Sequence, residues 1–129
     1  HMGDDLLSGL PDNPEGHFED MDFLKKNVEI LGGNIWDDVD RPLNPSDTES
    51  LIRRKNNKPL WGWKDPRTAI TIEKYYDHLD DPIIVALFRK PEHVAKSMAK
   101  RGDISEEKAL ALAKAYNRKI IDFLSRKFL

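Results

Sequence analysis

The chain of 129 residues contains no cysteine, which excludes disulfide bonds, thiol catalysis and zinc–thiolate centres and favours a reducing, cytoplasmic setting. It has no apolar run of about 18 residues, so no membrane-spanning helix is expected, and no secretory signal peptide is expected either. The formal net charge is only −2, so no overall electrostatic field attracts nucleic acid. The scattered acidic residues show no metal-ligand spacing. The length suits one domain, residues 1–129, in which any anion site must be a local cluster.

The most informative stretch is the apolar, partly β-branched segment Ile83–Phe88. Such a run predicts a strand that is buried on both faces. Pro91 suits the first turn of a following helix, where its missing N–H is not needed. Arg89 would then lie at the carboxyl end of a strand and beside a helix N-terminus, a place that favours anions. Ser97 lies about two turns into that helix and can offer its hydroxyl to the same ligand. The segment therefore predicts a phosphate or sulfate site.

Hydrophobic periodicity and capping signals predict the other elements. A helix over 18–31 ends at two glycines, and a capping box of Ser46 and Glu49 opens a helix that runs to Lys55. The remaining predicted elements are a short strand over 60–63, a helix over 68–78, a helix over 91–101 and a long last helix. That last helix is predicted to be capped by Asp103 and Glu106 and to be packed on two sides. Two successive strand–helix units predict an α/β fold with a small parallel sheet. Two strands are too few for a complete sheet, so an incomplete, helix-rich, three-layer domain is expected.

Basic side chains follow both predicted strands. Lys64, Asp65 and Arg67 come after the first strand, and Arg89 and Lys90 come after the second. The carboxyl ends of parallel strands meet at one rim, where arginine offers a bidentate fork to a phosphate and lysine a compact charge. The alternative is that these residues are surface charges paired with nearby acids. Asp65 has its own alternative, a structural role as the acceptor that caps the next turn.

These same residues carry a family resemblance. The segments Gly62–Arg67 and Phe88–Pro91, together with Ser97, resemble the sulfotransferases that use 3′-phosphoadenosine 5′-phosphosulfate (PAPS). The chain is most similar to bacterial sulfotransferase-like proteins and more distantly to tyrosylprotein sulfotransferases. Residues 13–20 also resemble a segment of the bacterial proteins, and the likeness spans roughly residues 4–128. The resemblance implies a P-loop-type α/β fold and transfer of a sulfuryl group from PAPS to an acceptor hydroxyl or amine.

The resemblance also implies roles for individual residues. Arg89 and Ser97 match the pair that grips the 3′-phosphate of PAPS or of adenosine 3′,5′-bisphosphate, and Arg67 is expected to bind the same cofactor. Lys64 matches the lysine that contacts the transferring sulfuryl group. Glu19 is the best candidate for the base that deprotonates the acceptor, and His17 is the next. The alternative for Glu19 is an acid that complements a helix dipole, and for His17 a surface position. No metal is required, and the acceptor cannot be read from the sequence.

Several aromatic residues have two interpretations. Trp61 and Trp63 alternate along the predicted strand and therefore face the same side. Core packing is the default interpretation, and stacking on an adenine ring is the sharper alternative. Tyr75 and Tyr76 are expected to pack in the core or at its rim rather than to line an acceptor site.

One departure from the family pattern is as informative as the match. The family opens with a strand and a glycine-containing loop that cradles the 5′-phosphosulfate, and no such loop occurs in this sequence. The chain is therefore expected to correspond to the middle and C-terminal part of the domain. Two alternatives to an enzyme remain open. One is a non-catalytic, nucleotide-binding remnant, and the other is an interaction module whose exposed sheet edge pairs with another chain, including a second copy.

Overall fold

The computed structural model of the chain describes residues 1–3, 20–33, 38–102 and 104–129. These residues form five α-helices and two short 3-10 helices. The α-helices are α1 (Met21–Leu31), α2 (Thr48–Lys55), α3 (Thr68–Thr71), α4 (Pro91–Lys100) and α5 (Glu106–Phe128), and the 3-10 helices are Ile72–Lys74 and Tyr76–His78. The chain divides into a first unit, His1–Asn34 with Arg41–Pro82, and a second unit, Ile35–Asp40 with Ile83–Leu129.

The predicted α/β class, with its three layers and parallel sheet, is wrong. No β-strand occurs within the described ranges, and Leu60–Trp63 is irregular. The predicted buried strand Ile83–Phe88 has no partner strand among the described residues, and its side chains Ile83, Val85 and Leu87 are 88%, 77% and 78% exposed. A strand exists only where another segment accepts and donates its backbone hydrogen bonds. No described segment does so here.

The first helix follows its local signals closely. The Asp20 side chain accepts a hydrogen bond from the Asp22 N–H at 2.8 Å, so α1 begins at Met21. The predicted start, residues 18 and 19, lies outside the described residues. The helix ends at Leu31 as predicted, because Gly32 adopts a left-handed φ of 73°, which a residue without a Cβ accepts readily.

The next two helical segments depart from their predicted bounds. Helix α2 ends at Lys55 as predicted, but its N-cap is Asp47 rather than Ser46, since the Asp47 carboxylate accepts the Ser50 N–H at 3.0 Å. The predicted helix over 68–78 is instead α3 followed by the two 3-10 helices. A β-branched run, with threonine or isoleucine at four of the five positions 68–72, favours a long helix poorly.

An aromatic cluster fills the core of the first unit. Phe23 is fully buried and stacks on Trp63, with ring centroids 4.0 Å apart and planes 2° apart. Trp61 stacks on the same two rings at about 6 Å, and Tyr75 packs on them in a tilted geometry. Ile30, Leu51 and Ile52 complete this core. The interpretation of the two tryptophans as core residues is confirmed, and so is the burial of Tyr75.

Helices α4 and α5 pack against each other in the second unit. Helix α4 has Pro91 at its first position, as predicted. The N-cap of α5 is Ser105, whose hydroxyl accepts the Lys108 N–H, and the predicted cap Asp103 lies outside the described residues. The residues of α5 that are buried are Ala109, Leu112, Ala113 and Phe123. The prediction that α5 packs on two sides is wrong near the end of the helix, where Ile121 and Phe128 are exposed. None of the helices within the described ranges is long and apolar enough to cross a membrane.

Candidate functional site

The entry to α4 is the part of the chain that most resembles an anion site. Arg89 is exposed and lies directly before the N-cap residue, Lys90, whose ψ of 126° is outside the helical region. No side chain caps this helix N-terminus. The first backbone N–H groups of a helix lack carbonyl partners within it and carry the positive end of the helix dipole. An anion beside Arg89 would therefore meet both a guanidinium and the open end of a helix.

Ser97 lies where the sequence predicted, two turns into α4, and is partly buried. Seven residues separate it from Lys90, which amounts to about two helical turns. The two positions therefore share one side of the helix. Ser97 stands about 9 Å along the axis from Pro91. Whether one phosphate bridges Arg89 and Ser97 stays a prediction.

The charge around this helix is strongly biased in a chain whose net charge is −2. Residues 89–101 include five lysines or arginines and one acidic residue, Glu92. Arg89, Lys90, Lys96 and Lys100 are exposed, and none of them forms an ion pair with another residue of the described ranges. The local field therefore favours an anionic ligand even though the whole chain is slightly acidic.

The second set of predicted residues, Lys64 and Arg67, belongs to the first unit. Lys64 is exposed, whereas the Arg67 side chain is about one third exposed and its Nη1 donates to Asp65 Oδ1 at 2.9 Å. The same oxygen accepts the Arg67 N–H at 3.1 Å. Asp65 is buried, so its structural interpretation as a turn acceptor is confirmed. The Arg67 charge is balanced by this carboxylate, and its assignment to the cofactor stays a prediction.

Sequence reasoning missed the residue at the centre of this region, Asn27. Its side chain is fully buried, and its Nδ2 donates to Asp65 Oδ2 at 2.9 Å and to Thr68 Oγ1 at 3.2 Å. Its Oδ1 accepts hydrogen bonds from Thr71 Oγ1 and from the Tyr75 hydroxyl, each at 2.7 Å. The amide thus uses both donors and both acceptor positions. One sequence signal was available, since position 27 lies four residues after the core residue 23 on the apolar face of α1, where a polar side chain is unusual.

The network also affects the ionisation of Tyr75. Burial disfavours the charged phenolate, and the nearby carboxylates of Asp65 and Glu29 add repulsion, so the pKa of Tyr75 is raised well above its ordinary value. Tyr75 is therefore a neutral hydrogen-bond donor at physiological pH. It can hold Asn27 in place, but it cannot serve as a base.

A second charged cluster lies at the start of α1. Lys55 Nζ bonds Asp22 at 2.8 Å and Asp20 at 3.0 Å, and it lies 5.8 Å from the centroid of the Phe23 ring. The hydrogen bond from Lys55 lowers the pKa of Asp22. Burial by itself lowers the pKa of Lys55, but the hydrogen bonds that Lys55 donates to the two carboxylates outweigh this effect, so the pKa of the lysine is raised. These groups line an open cleft of about 170 Å³, and because the lysine is paired with two acids, the cluster ties α2 to α1 rather than offering a free cation.

The predicted site residues fall in different parts of the chain. Lys64 and Arg67 lie in the first unit, and Arg89 and Ser97 lie in the second. The candidate bases Glu19 and His17 lie outside the described residues. Within the described residues, no group of three or more histidine, aspartate or glutamate side chains could hold a metal ion.

No family model, curated protein or solved structure matches this chain.

Proposed function

We propose that this chain is a sulfotransferase-like protein that binds the 3′-phosphate of PAPS, or of adenosine 3′,5′-bisphosphate, through Arg89 and Ser97. In the complete domain, a sulfuryl group passes from PAPS to an acceptor hydroxyl or amine. The observation that carries the proposal is the exposed Arg89, which forms no ion pair with the described residues and directly precedes the uncapped N-terminus of α4. The absence of cysteine supports a cytoplasmic location within this proposal.

The physical case rests on the chemistry of phosphate recognition. The Arg89 guanidinium can donate two parallel hydrogen bonds to a phosphate, which gives direction as well as strength. The Ser97 hydroxyl is proposed to donate a third hydrogen bond to the phosphate. The basic side chains along α4 raise the local concentration of anions. Each hydrogen bond to a charged group contributes about 1.5–3 kcal/mol. The loss of Arg89 should therefore weaken binding roughly 10- to 150-fold.

The proposed chemistry follows that of phosphoryl transfer. The acceptor oxygen or nitrogen attacks sulfur in line, the bond from sulfur to the 5′-phosphate oxygen breaks, and adenosine 3′,5′-bisphosphate leaves. Lys64 is proposed to stabilise the charge that develops on the transferring and leaving oxygens. Glu19, or otherwise His17, is proposed to take the proton of the acceptor.

The test is a titration of the isotope-labelled chain with adenosine 3′,5′-bisphosphate, followed by NMR. We expect chemical-shift changes concentrated in residues 88–98 and a loss of most of the affinity in Arg89→Ala. Ser97→Ala should weaken binding by a smaller factor. Arg53→Ala is a matched control, because it removes the same charge from an exposed arginine on α2 that already pairs with Glu49.

Two comparisons make the outcome specific. Adenosine 2′,5′-bisphosphate carries the same charge with the phosphate displaced by one ribose carbon, and adenosine 5′-phosphate lacks the second phosphate. Both should bind more weakly than the 3′,5′ compound if α4 holds a 3′-phosphate. Equal affinity for the 2′,5′ and 3′,5′ compounds, or an equal loss in Arg89→Ala and Arg53→Ala, would reduce the site to non-specific attraction of anions. No shifts at millimolar ligand would contradict the proposal.

A further inference from the structure

An apolar segment that pairs with no other described segment precedes the proposed phosphate site. Residues 82–90 contain no helix or turn, and burial alternates over residues 82–87, with Ile83, Val85 and Leu87 exposed while Ile84 and Ala86 are half-buried. This alternation is typical of an extended chain with one face inward. Residues 83–89 form no backbone hydrogen bond with another part of the described chain. An edge of this kind, apolar and unpaired, is a template for another strand.

The charges at the two ends of the segment indicate what that strand is. Asp80 and Asp81 are joined directly to its beginning, Arg89 and Lys90 lie at its end, and all four are exposed. A second copy that runs antiparallel brings the acidic end of each chain to the basic end of the other, at both ends at once. A parallel copy would instead place acid against acid and base against base, which is destabilising across strands.

The side chains select a register as well as a direction. If Val85 lies opposite Val85 of the second copy, then Ile83 lies opposite Leu87, and the acidic turn at Asp80 and Asp81 lies near Arg89 and Lys90 of the other chain. Ile83, Val85 and Leu87, which are all exposed, then meet one another in cross-strand pairs, and the exposed Phe88 lies opposite Pro82. The paired stretch is bounded at one end by Asp81, whose φ of 47° turns the chain. The paired stretch, residues 82–88, has about the length of an ordinary strand.

We propose that a second copy of this chain occupies this edge, forming a twofold symmetric dimer through antiparallel pairing of residues 82–88. The arrangement is isologous, since the same segment contributes both sides of the interface. It satisfies the backbone groups on one edge of the segment and brings Ile83, Val85 and Leu87 of both copies into one cluster. The proposal does not depend on the proposed nucleotide site, because it uses the backbone and apolar row rather than a bound phosphate.

The first test measures the mass of the whole chain by sedimentation velocity over a range of concentrations, without nucleotide. We expect a reversible dimer whose dissociation constant rises about tenfold or more in Val85→Lys, which places like charges together at the twofold axis. Ile121→Lys is the matched control, because it adds the same charge at an exposed apolar position on α5, and it should leave the dimer intact. A chain that is monomeric up to millimolar concentration, or a dimer unaffected by Val85→Lys, would overturn the proposal.

The second test examines direction through charge exchange. Asp80→Lys and Lys90→Asp should each weaken self-association, because each places like charges at both ends of the antiparallel pair. An equimolar mixture of the two variants should recover association, since every end contact in the mixed dimer joins opposite charges. Failure of the mixture to associate more strongly than either variant alone would overturn the antiparallel register.

Amide hydrogen exchange identifies the occupant of the edge directly. The alternate amides within residues 83–87 that face the partner strand should become protected as the chain concentration rises into the dimer range. Protection that is already complete in a monomer would mean that another segment of the same polypeptide covers the edge, which would overturn the assignment to a second copy. The same would follow if protection required an added protein rather than more of the chain itself.

Discussion

The buried amide of Asn27 leads to a prediction about Tyr75 whose sign depends on the background in which it is tested. In the wild type, Tyr75→Phe removes one hydrogen bond, the 2.7 Å bond from the hydroxyl to Asn27 Oδ1, and keeps the ring in the aromatic cluster. The Asn27 oxygen still accepts from Thr71 at 2.7 Å, so no buried group loses its last partner. We expect a cost of about 1 kcal/mol in the free energy of unfolding.

The expected effect of Tyr75→Phe on stability reverses when Asn27 is replaced by an apolar residue of similar size. Asn27→Leu leaves the Tyr75 hydroxyl buried without its acceptor and also removes a donor from Asp65, so we expect it to cost about 3–5 kcal/mol. In that background, Tyr75→Phe removes an unsatisfied hydroxyl. It should therefore cost nothing or stabilise the fold by up to about 1 kcal/mol. The coupling free energy between the two positions should be about 1–2 kcal/mol.

Thr71→Val provides a matched control with the opposite expectation. It removes the other donor to Asn27 Oδ1, so that Tyr75 becomes the last partner of this buried oxygen. Tyr75→Phe should then cost more than in the wild type, about 1–3 kcal/mol. Urea unfolding followed by tryptophan fluorescence measures all three backgrounds, because Trp63 stacks in the same core. An equal cost of Tyr75→Phe in every background would refute the network as the source of the stabilisation.

Two further predictions concern pH. The pKa of Tyr75 is raised in the folded protein, so the stability that neutral Tyr75 contributes is present below the tyrosine pKa of the unfolded chain, about 10, and is lost as the pH rises beyond it. The free energy of unfolding, measured in urea, should therefore fall less above that pH in Tyr75→Phe than in the wild type. Tyr76→Phe should not reduce this fall. The lowered pKa of Asp22 means that its contribution is present above its unfolded value and is lost as the pH falls. Lys55→Met should therefore lower the free energy of unfolding by about 2 kcal/mol at neutral pH and by less in acid. Lys25→Met changes an exposed lysine on α1, the helix that carries Asp22, and should alter stability little. Equal effects of the two variants at neutral pH would contradict the role given to the Lys55 cluster.

The helix ends that the sequence predicted correctly are those set by a single residue and its nearest neighbours. Gly32 ends α1 because its own backbone adopts a left-handed φ, and Pro91 begins α4 because its ring lacks a donor that the first turn does not use. Where two neighbouring residues compete for the same role, the local pattern is ambiguous. Ser46 and Asp47 both suit an N-cap, and only the position of the folded backbone selected Asp47.

Some features of the candidate site likewise follow from local sequence, and others depend on distant residues. The placement of Arg89 before a helix and of Ser97 two turns into it follows from local sequence, and the structure has both features. The role of Asp65 as a turn acceptor also follows from local sequence. Its burial and its bond to Asn27, 38 residues away in the chain, do not.

The fold class required information that no segment carries alone. Residues 83–88 specify an extended chain through their own side chains, because β-branched and alternating residues favour that backbone locally. Whether this chain becomes a buried strand depends on a partner that supplies hydrogen bonds and covers its faces, and none of the described segments does so. The sequence by itself determined the helices α1, α2, α4 and α5, the ends set by Gly32 and Pro91, and the basic entry to α4, since these depend on contacts within a few residues. The tertiary structure alone decided the absence of a sheet in the described chain, the Asn27 network and the exposure of the apolar row, because each depends on which distant segments meet.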